Sequence, residues 1–117
     1  MPDKSILDLS RLEEAFEDDV VGIADLLEMA LETGAKHVRS MREGIEAHEI
    51  EKVSRAAHGV KGSASNIGAP AVTAVATSIE ERARLGSWDD IPGLTDRLEA
   101  TYAELRAAVG QYRAEVR

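Results

Sequence analysis

The chain has 117 residues, enough for one ordinary domain. Apolar residues at 44% and charged residues at 31% are close to globular averages and exclude a disordered or collagen-like chain; the absence of cysteine excludes a disulfide framework, a thiolate zinc site and a cysteine nucleophile. Fourteen Lys and Arg against 22 Asp and Glu leave a net charge of −8, the wrong sign for a general nucleic-acid or anionic-membrane binder, so a protein partner or a small ligand is expected.

Only 3% of residues are aromatic, while Ala, Leu, Glu and Arg abound, a mixture that favours helices. Leu9, Leu12 and Phe16 make a short helical stripe, and Ser10 with Glu13 has the form of a capping box, predicting a short helix over about 8–17. Ile23, Leu27, Leu31, Gly34, Val38, Met41 and Ile45 then step by four and three, predicting a long amphipathic helix over about 19–47. A third stripe, Ile50, Val53, Ala57, Val60, Ala64 and Ile67, predicts a helix over about 50–68, with Gly68 as a left-handed C-cap and Pro70 opening the next. Val72, Val75, Ile79 and Ala83 carry a helix over about 70–85, ended by Gly86. Ile91, Leu94, Leu98, Tyr102, Leu105, Val109 and Tyr112 carry the last, over about 89–115, with an acidic start at Asp89 and Asp90. Long stripes joined by short connections predict an all-α fold: an antiparallel up-down four-helix bundle with a short leading N-terminal helix, a single domain over 1–117. No apolar run approaches the roughly 18 residues of a membrane span, and the opening Met-Pro-Asp-Lys lacks the basic-then-apolar pattern of a signal peptide. A cytoplasmic location and a monomer are expected.

The third stripe contains an anomaly. From Ala57 to Gly68 it includes Gly59, Gly62, Ser63 and Ser65, and each helix-interior glycine costs up to about 1 kcal/mol relative to alanine. At about 100° per residue with His58 at zero, Lys61 falls at about −60°, Gly62 at +40° and Ser65 at −20°, whereas the core positions lie between −100° and 180°. His58 therefore stands on an exposed face with Lys61, Gly62 and Ser65. Phosphoryl transfer through a histidine suits this grouping. A neutral imidazole nitrogen is nucleophilic near pH 7, Lys61 supplies a cation one turn away, and Gly62 and Ser65 remove bulk so that an acid phosphate on another protein can approach in line.

The segment His58-x-Val60-Lys61-Gly62-Ser63-x-x-Asn66-Ile67-Gly68-Ala69 resembles the His-x-Leu-Lys-Gly-Ser-x-x-x-Leu-Gly pattern of histidine-containing phosphotransfer (HPt) domains, on a helix of the right rank. Helix order is similar from about Leu9 to Tyr112. The resemblance implies a phosphorelay intermediate that takes a phosphoryl group from a receiver-domain aspartate, or from a histidine kinase, and passes it to another receiver. His58 is then implied as phosphoacceptor, Lys61 as phosphate-side cation, and Gly62 and Ser65 as the close-approach docking surface. The partners implied are response-regulator receiver domains or a hybrid histidine kinase, with Mg²⁺ on the receiver and no cofactor on this chain. Two departures bear on receiver preference: Gly59 stands where a larger residue is usual, and Ala64-Ser65 where Ser-Ala is common.

Other chemistries find less support. There is no Glu-x-x-His repeat for a di-iron centre, no Gly-x-Ser-x-Gly elbow for hydrolysis and no phosphate-binding glycine loop for ATP, so a carrier rather than an autonomous kinase is expected, with no metal on the chain. His37 and His48 read as surface residues, Ser63 and Asn66 as local hydrogen-bonding or capping groups. The acidic pairs, Glu80-Glu81 among them, read as helix N-termini and solvated faces. The alternatives are a helical module that binds a signalling partner without phosphotransfer, or a phosphate sink.

Overall fold

The computed structural model describes residues 3–116, so Met1 and Pro2 of the opening tetrapeptide lie outside the described residues. Five helices follow in order: α1 (Ser10–Ala15), α2 (Val20–Glu46), α3 (Ile50–Ile67), α4 (Pro70–Arg84) and α5 (Ile91–Glu115). The connections between α2, α3, α4 and α5 are short, which forces successive helices to run antiparallel. α2 packs on α3, α3 on α4 and α4 on α5, and α5 closes the ring against α2, giving an elongated bundle of 43 × 21 × 20 Å.

The stripes converge as their spacing dictates. Ile23, Leu27 and Met41 from α2, Val53, Val60 and Ile67 from α3, Val72 and Ile79 from α4, and Leu98 and Leu105 from α5 are all fully buried. Each such side chain contributes about 1.5–3 kcal/mol relative to an exposed position. Polar contacts on the rim set the register between helices. Arg42 on α2 bridges Asp96 and Glu99 on α5 at 2.6 and 2.5 Å, and the Tyr102 hydroxyl donates to the Leu31 carbonyl. At one end of the bundle, the His48 and Trp88 rings stack with centroids 4.3 Å apart, tying the α2–α3 turn to the α4–α5 loop.

The helix ends differ in detail from the sequence reading. Asp19 caps α2, its Oδ1 accepting the Gly22 N–H at 3.1 Å. The Ser10–Glu13 capping box does not form. Leu9 occupies the N-cap position, and the Ser10 hydroxyl and N–H both donate to Asp8 Oδ1, at 2.7 and 3.1 Å. Asp8 takes the Ser10 N–H that the Glu13 carboxylate would accept in a capping box, and the Glu13 N–H donates to the Leu9 carbonyl at 2.8 Å instead of to the Ser10 hydroxyl. Leu9 and Leu12 are buried, but Phe16, grouped with them by spacing, stays 36% exposed where α1 ends.

Residues before α1 contribute more than their lack of periodicity suggests. Leu7 is buried, and the strand of chain around it crosses the α3–α4 corner: the Asp8 N–H donates to the Gly68 carbonyl at 2.7 Å and the Ala71 N–H to the Ser5 carbonyl at 2.9 Å. Gly68 adopts φ +77°, ψ +46°, the left-handed conformation that ends α3 and lets Pro70 start α4 two residues later.

Candidate functional site

His58 stands at the midpoint of α3, flanked by α2 on one side and α4 on the other. Its neighbours Ala57 and Val60 are buried and fix the helix face, leaving the His58 side chain 70% exposed. Gly62, one turn on, has no other atom within 4 Å of where a Cβ would sit, so the surface beside the imidazole is open. Gly62 therefore makes no close contact with a neighbouring helix. Ser65 is exposed on the same face, but two turns away, about 10 Å along the axis. It lines an open groove of about 520 Å³ with Asp8, Arg11 and Thr73 at the α3–α4 corner. The structure therefore groups His58, Lys61 and Gly62 closely and places Ser65 at the edge of the same surface.

A fourth residue completes the cluster. Glu80 reaches across from α4 with its two oxygens divided between the site residues: Oε2 lies 2.8 Å from His58 Nδ1, and Oε1 accepts from Lys61 Nζ at 2.7 Å. The Glu80 side chain is only 18% exposed and its bond to Lys61 is partly buried, while the bond to His58 lies at the surface. Reading Glu80 with Glu81 as a solvated acidic pair is thus corrected for Glu80. It lies in the second half of α4, about 100° around the helix from the buried Ile79, at the border of the apolar stripe, while Glu81 points outward. That border position is the signal the sequence held.

The electrostatics follow from these contacts. The Lys61 ammonium, first by its hydrogen bond and then by its charge, together with His58, holds the Glu80 carboxyl below its ordinary range against the opposing effect of burial. Glu80 is therefore a carboxylate at neutral pH and can only accept. His58 Nδ1 must then carry the proton it donates, which fixes the neutral ring as the Nδ1–H tautomer and leaves the Nε2 lone pair unprotonated and facing solvent. Lys61 is not held out as a free cation in this arrangement. In the unphosphorylated chain its ammonium is paired with Glu80.

The other candidates resolve individually. The Ser63 hydroxyl donates across to the Ala30 carbonyl of α2 at 3.3 Å, an interhelix bond rather than a local one. His48 stacks on Trp88 at the bundle end, and His37 is half-buried against α3 rather than free on the surface. Among the described residues no group of three or more His, Asp or Glu side chains could hold a metal ion, and no helix is long and apolar enough to cross a membrane.

Comparison with known proteins agrees with this geometry. The Hpt domain family model matches residues 25–108, which run from the first turns of α2 into α5 and include the whole His58–Lys61–Glu80 cluster. The chain is similar to the crystal structure of histidine-containing phosphotransfer protein B (HptB) from Pseudomonas aeruginosa PAO1, with a TM-score of 0.86 and 29% sequence identity over 95% of this chain and 96% of that one. No match is found among curated proteins. With the family pattern matched over most of its length and an exposed imidazole at the centre of the bundle face, the chain belongs to the Hpt domain family.

Proposed function

We propose that this protein is a phosphohistidine carrier in a phosphorelay, accepting a phosphoryl group on His58 Nε2 from a receiver-domain aspartate, or from a histidine kinase, and passing it to another receiver domain. The observation that carries this reading is the His58–Glu80 bond at 2.8 Å, which orients an exposed imidazole with its second nitrogen free. In the forward step the Nε2 lone pair attacks phosphorus as the bond to the aspartyl oxygen breaks, so the donor aspartate leaves as a carboxylate and an N–P bond forms. The ring gains positive charge while keeping its Nδ1 proton, and the Glu80 carboxylate beside that proton stabilises the charge. Transfer onward is the reverse step with a new aspartate. Gly62 leaves room for the receiver to come within reacting distance, and Lys61, tied to Glu80, keeps that carboxylate ionised. Mg²⁺ belongs to the receiver, and the reaction needs no cofactor on this chain.

The test is to incubate the protein with a phosphorylated receiver domain and Mg²⁺ and to treat the labelled product with acid and with alkali. Label lost in acid and retained in alkali identifies a phosphoramidate on histidine. Label with the opposite stability would place the phosphoryl group on a residue other than histidine, and no label from a panel of receivers would favour a binding module that passes no phosphate.

Glu80 acts through His58 and is a positioning residue. Glu80→Ala removes the acceptor for Nδ1–H and is expected to slow transfer about 10–100-fold, by analogy with the range seen when a metal-ligating histidine loses its orienting partner. Glu80→Gln retains an acceptor oxygen without the charge and should recover part of the loss. The same linkage has a pH signature. Because the fold lowers the Glu80 pKa, its bonds are intact above the usual carboxylate range and are lost as pH falls through the lowered value. Stability below the usual carboxylate range should therefore fall less steeply with pH in Glu80→Gln than in wild type, read from melting temperatures.

A further inference from the structure

Gly59 directly follows His58, and it turns toward α2 where Lys61 turns toward α4. A Cβ at position 59 would lie 2.6 Å from Cε1, Nδ1 and Nε2 of His37, so the His37 imidazole from α2 fills the volume in which a residue-59 side chain would begin. The missing side chain and the histidine are one feature: α3 forgoes a better helix former at 59, and α2 lays an imidazole over the bare backbone. His37 thus lies on the flank of the phosphoacceptor opposite Glu80.

The ring is not committed elsewhere. Among the described residues no hydrogen bond or ion pair involves the His37 side chain, and the one buried side-chain polar atom without a partner is Tyr112 Oη. The half-buried His37 therefore keeps its nitrogens within reach of solvent. Space-filling alone would be served by an apolar group, as it is at Met41 on the next turn of the α2 stripe. Transfer also dictates where a partner must sit. Nε2 of His58 has to come within about 3–3.5 Å of the receiver's phosphorus, so the loops around the phosphorylated aspartate necessarily cover the residues beside His58.

We infer that His37, held in place by Gly59, is a specificity-determining residue of the transfer surface, donating an imidazole N–H to an acceptor on the receiver loop that covers this flank. The inference rests on the phosphotransfer reading above and deepens it: His58 does the chemistry, and His37 helps choose the receiver.

The test measures kcat/KM for transfer from several phosphorylated receivers into wild type, His37→Ala, Gly59→Ala and the double variant, with thermal melting of each. In Gly59→Ala the new methyl meets the far end of a flexible side chain and displaces the ring without breaking the helix, while alanine improves helix propensity. Its melting temperature should be unchanged or raised. Transfer from the best receiver should nonetheless fall about tenfold in each single variant, the loss of one hydrogen bond, and no further in the double variant. Poor receivers should change less than about twofold, so that the ranking narrows. An equal loss for every receiver, no loss for any, or a Gly59→Ala melting temperature that falls along with transfer would overturn the inference and leave His37 a packing residue. A wild type that no receiver labels overturns the phosphotransfer reading itself, whereas a labelled wild type whose spread among receivers is the same in the variants overturns only the role of His37.

Discussion

His58→Gln is expected to abolish phosphoryl acceptance while leaving the surface that receives the donor in place. Glutamine cannot form the N–P bond, because its amide nitrogen has no available lone pair. Labelling should fall on the order of a thousandfold or more, to the background of the assay. The rest of the site survives the change. The side chain is largely exposed, so the substitution should alter stability by no more than about 0.5 kcal/mol. An amide N–H can still donate to Glu80, leaving the Lys61–Glu80 pair and the open ground at Gly62 undisturbed. Affinity for an unphosphorylated receiver should accordingly stay within about threefold of wild type by calorimetry. Labelling that persists would place the phosphoryl group elsewhere on the chain. Labelling and binding lost together, with melting unchanged, would mean that His58 is a docking contact first, and signalling that survives in full would favour the module without phosphotransfer.

Which parts of this arrangement were legible in the sequence follows from the range of the forces involved. The four long helices are written in spacing because burial repeats every three or four residues, and Leu27, Val60, Ile79 and Leu105 all fall inside accordingly. His58 was legible for a different reason: glycines and serines in a helix are a local cost, and a cost without local benefit points to function. What escaped depends on neighbours distant in the chain. Glu80 resembles Glu81 until α4 is laid beside α3, and only then does its carboxylate meet His58 and Lys61, 22 and 19 residues away. The Lys61–Glu80 pair escaped for the same reason, since no local spacing shows which carboxylate Lys61 meets. Gly59 registered only as an unusually small residue, because the ring that fills its place comes from α2. The missed Leu7 is a non-periodic residue buried by a turn of chain, and the missed cap at α1 is a local contest between two acceptors for Ser10 that spacing does not decide.

That turn of chain makes Gly68→Ala the substitution with the largest expected effect on stability. Two costs add at this position. An L-residue at φ +77° pays about 1–2 kcal/mol relative to glycine. The new Cβ would also overlap the Asp8 carbonyl oxygen, a backbone atom that cannot rotate aside as a side chain can. Relief is possible only if the segment before α1 lifts off. That breaks the Asp8 N–H bond to the Gly68 carbonyl and the neighbouring Ala71 N–H bond to Ser5, and it exposes Leu7, whose burial is worth about 1.5–3 kcal/mol. The total is on the order of 4–8 kcal/mol, or on the order of 15–30 °C in melting temperature for a domain of this size. Gly68→Asn separates the two costs, since asparagine tolerates the left-handed region but carries the same Cβ. If overlap dominates, it should be nearly as damaging as alanine; if backbone conformation dominates, it should recover most of the loss. Amide exchange provides the structural check: the Asp8 and Ala71 protons should lose protection before those of α2 to α5. A Gly68→Ala protein within about 1 kcal/mol of wild type would mean that the corner yields more easily than its geometry implies. Because His58 lies ten residues back at the midpoint of α3, transfer measured well below the melting temperature should be unaffected, so the corner supports the bundle without taking part in the chemistry.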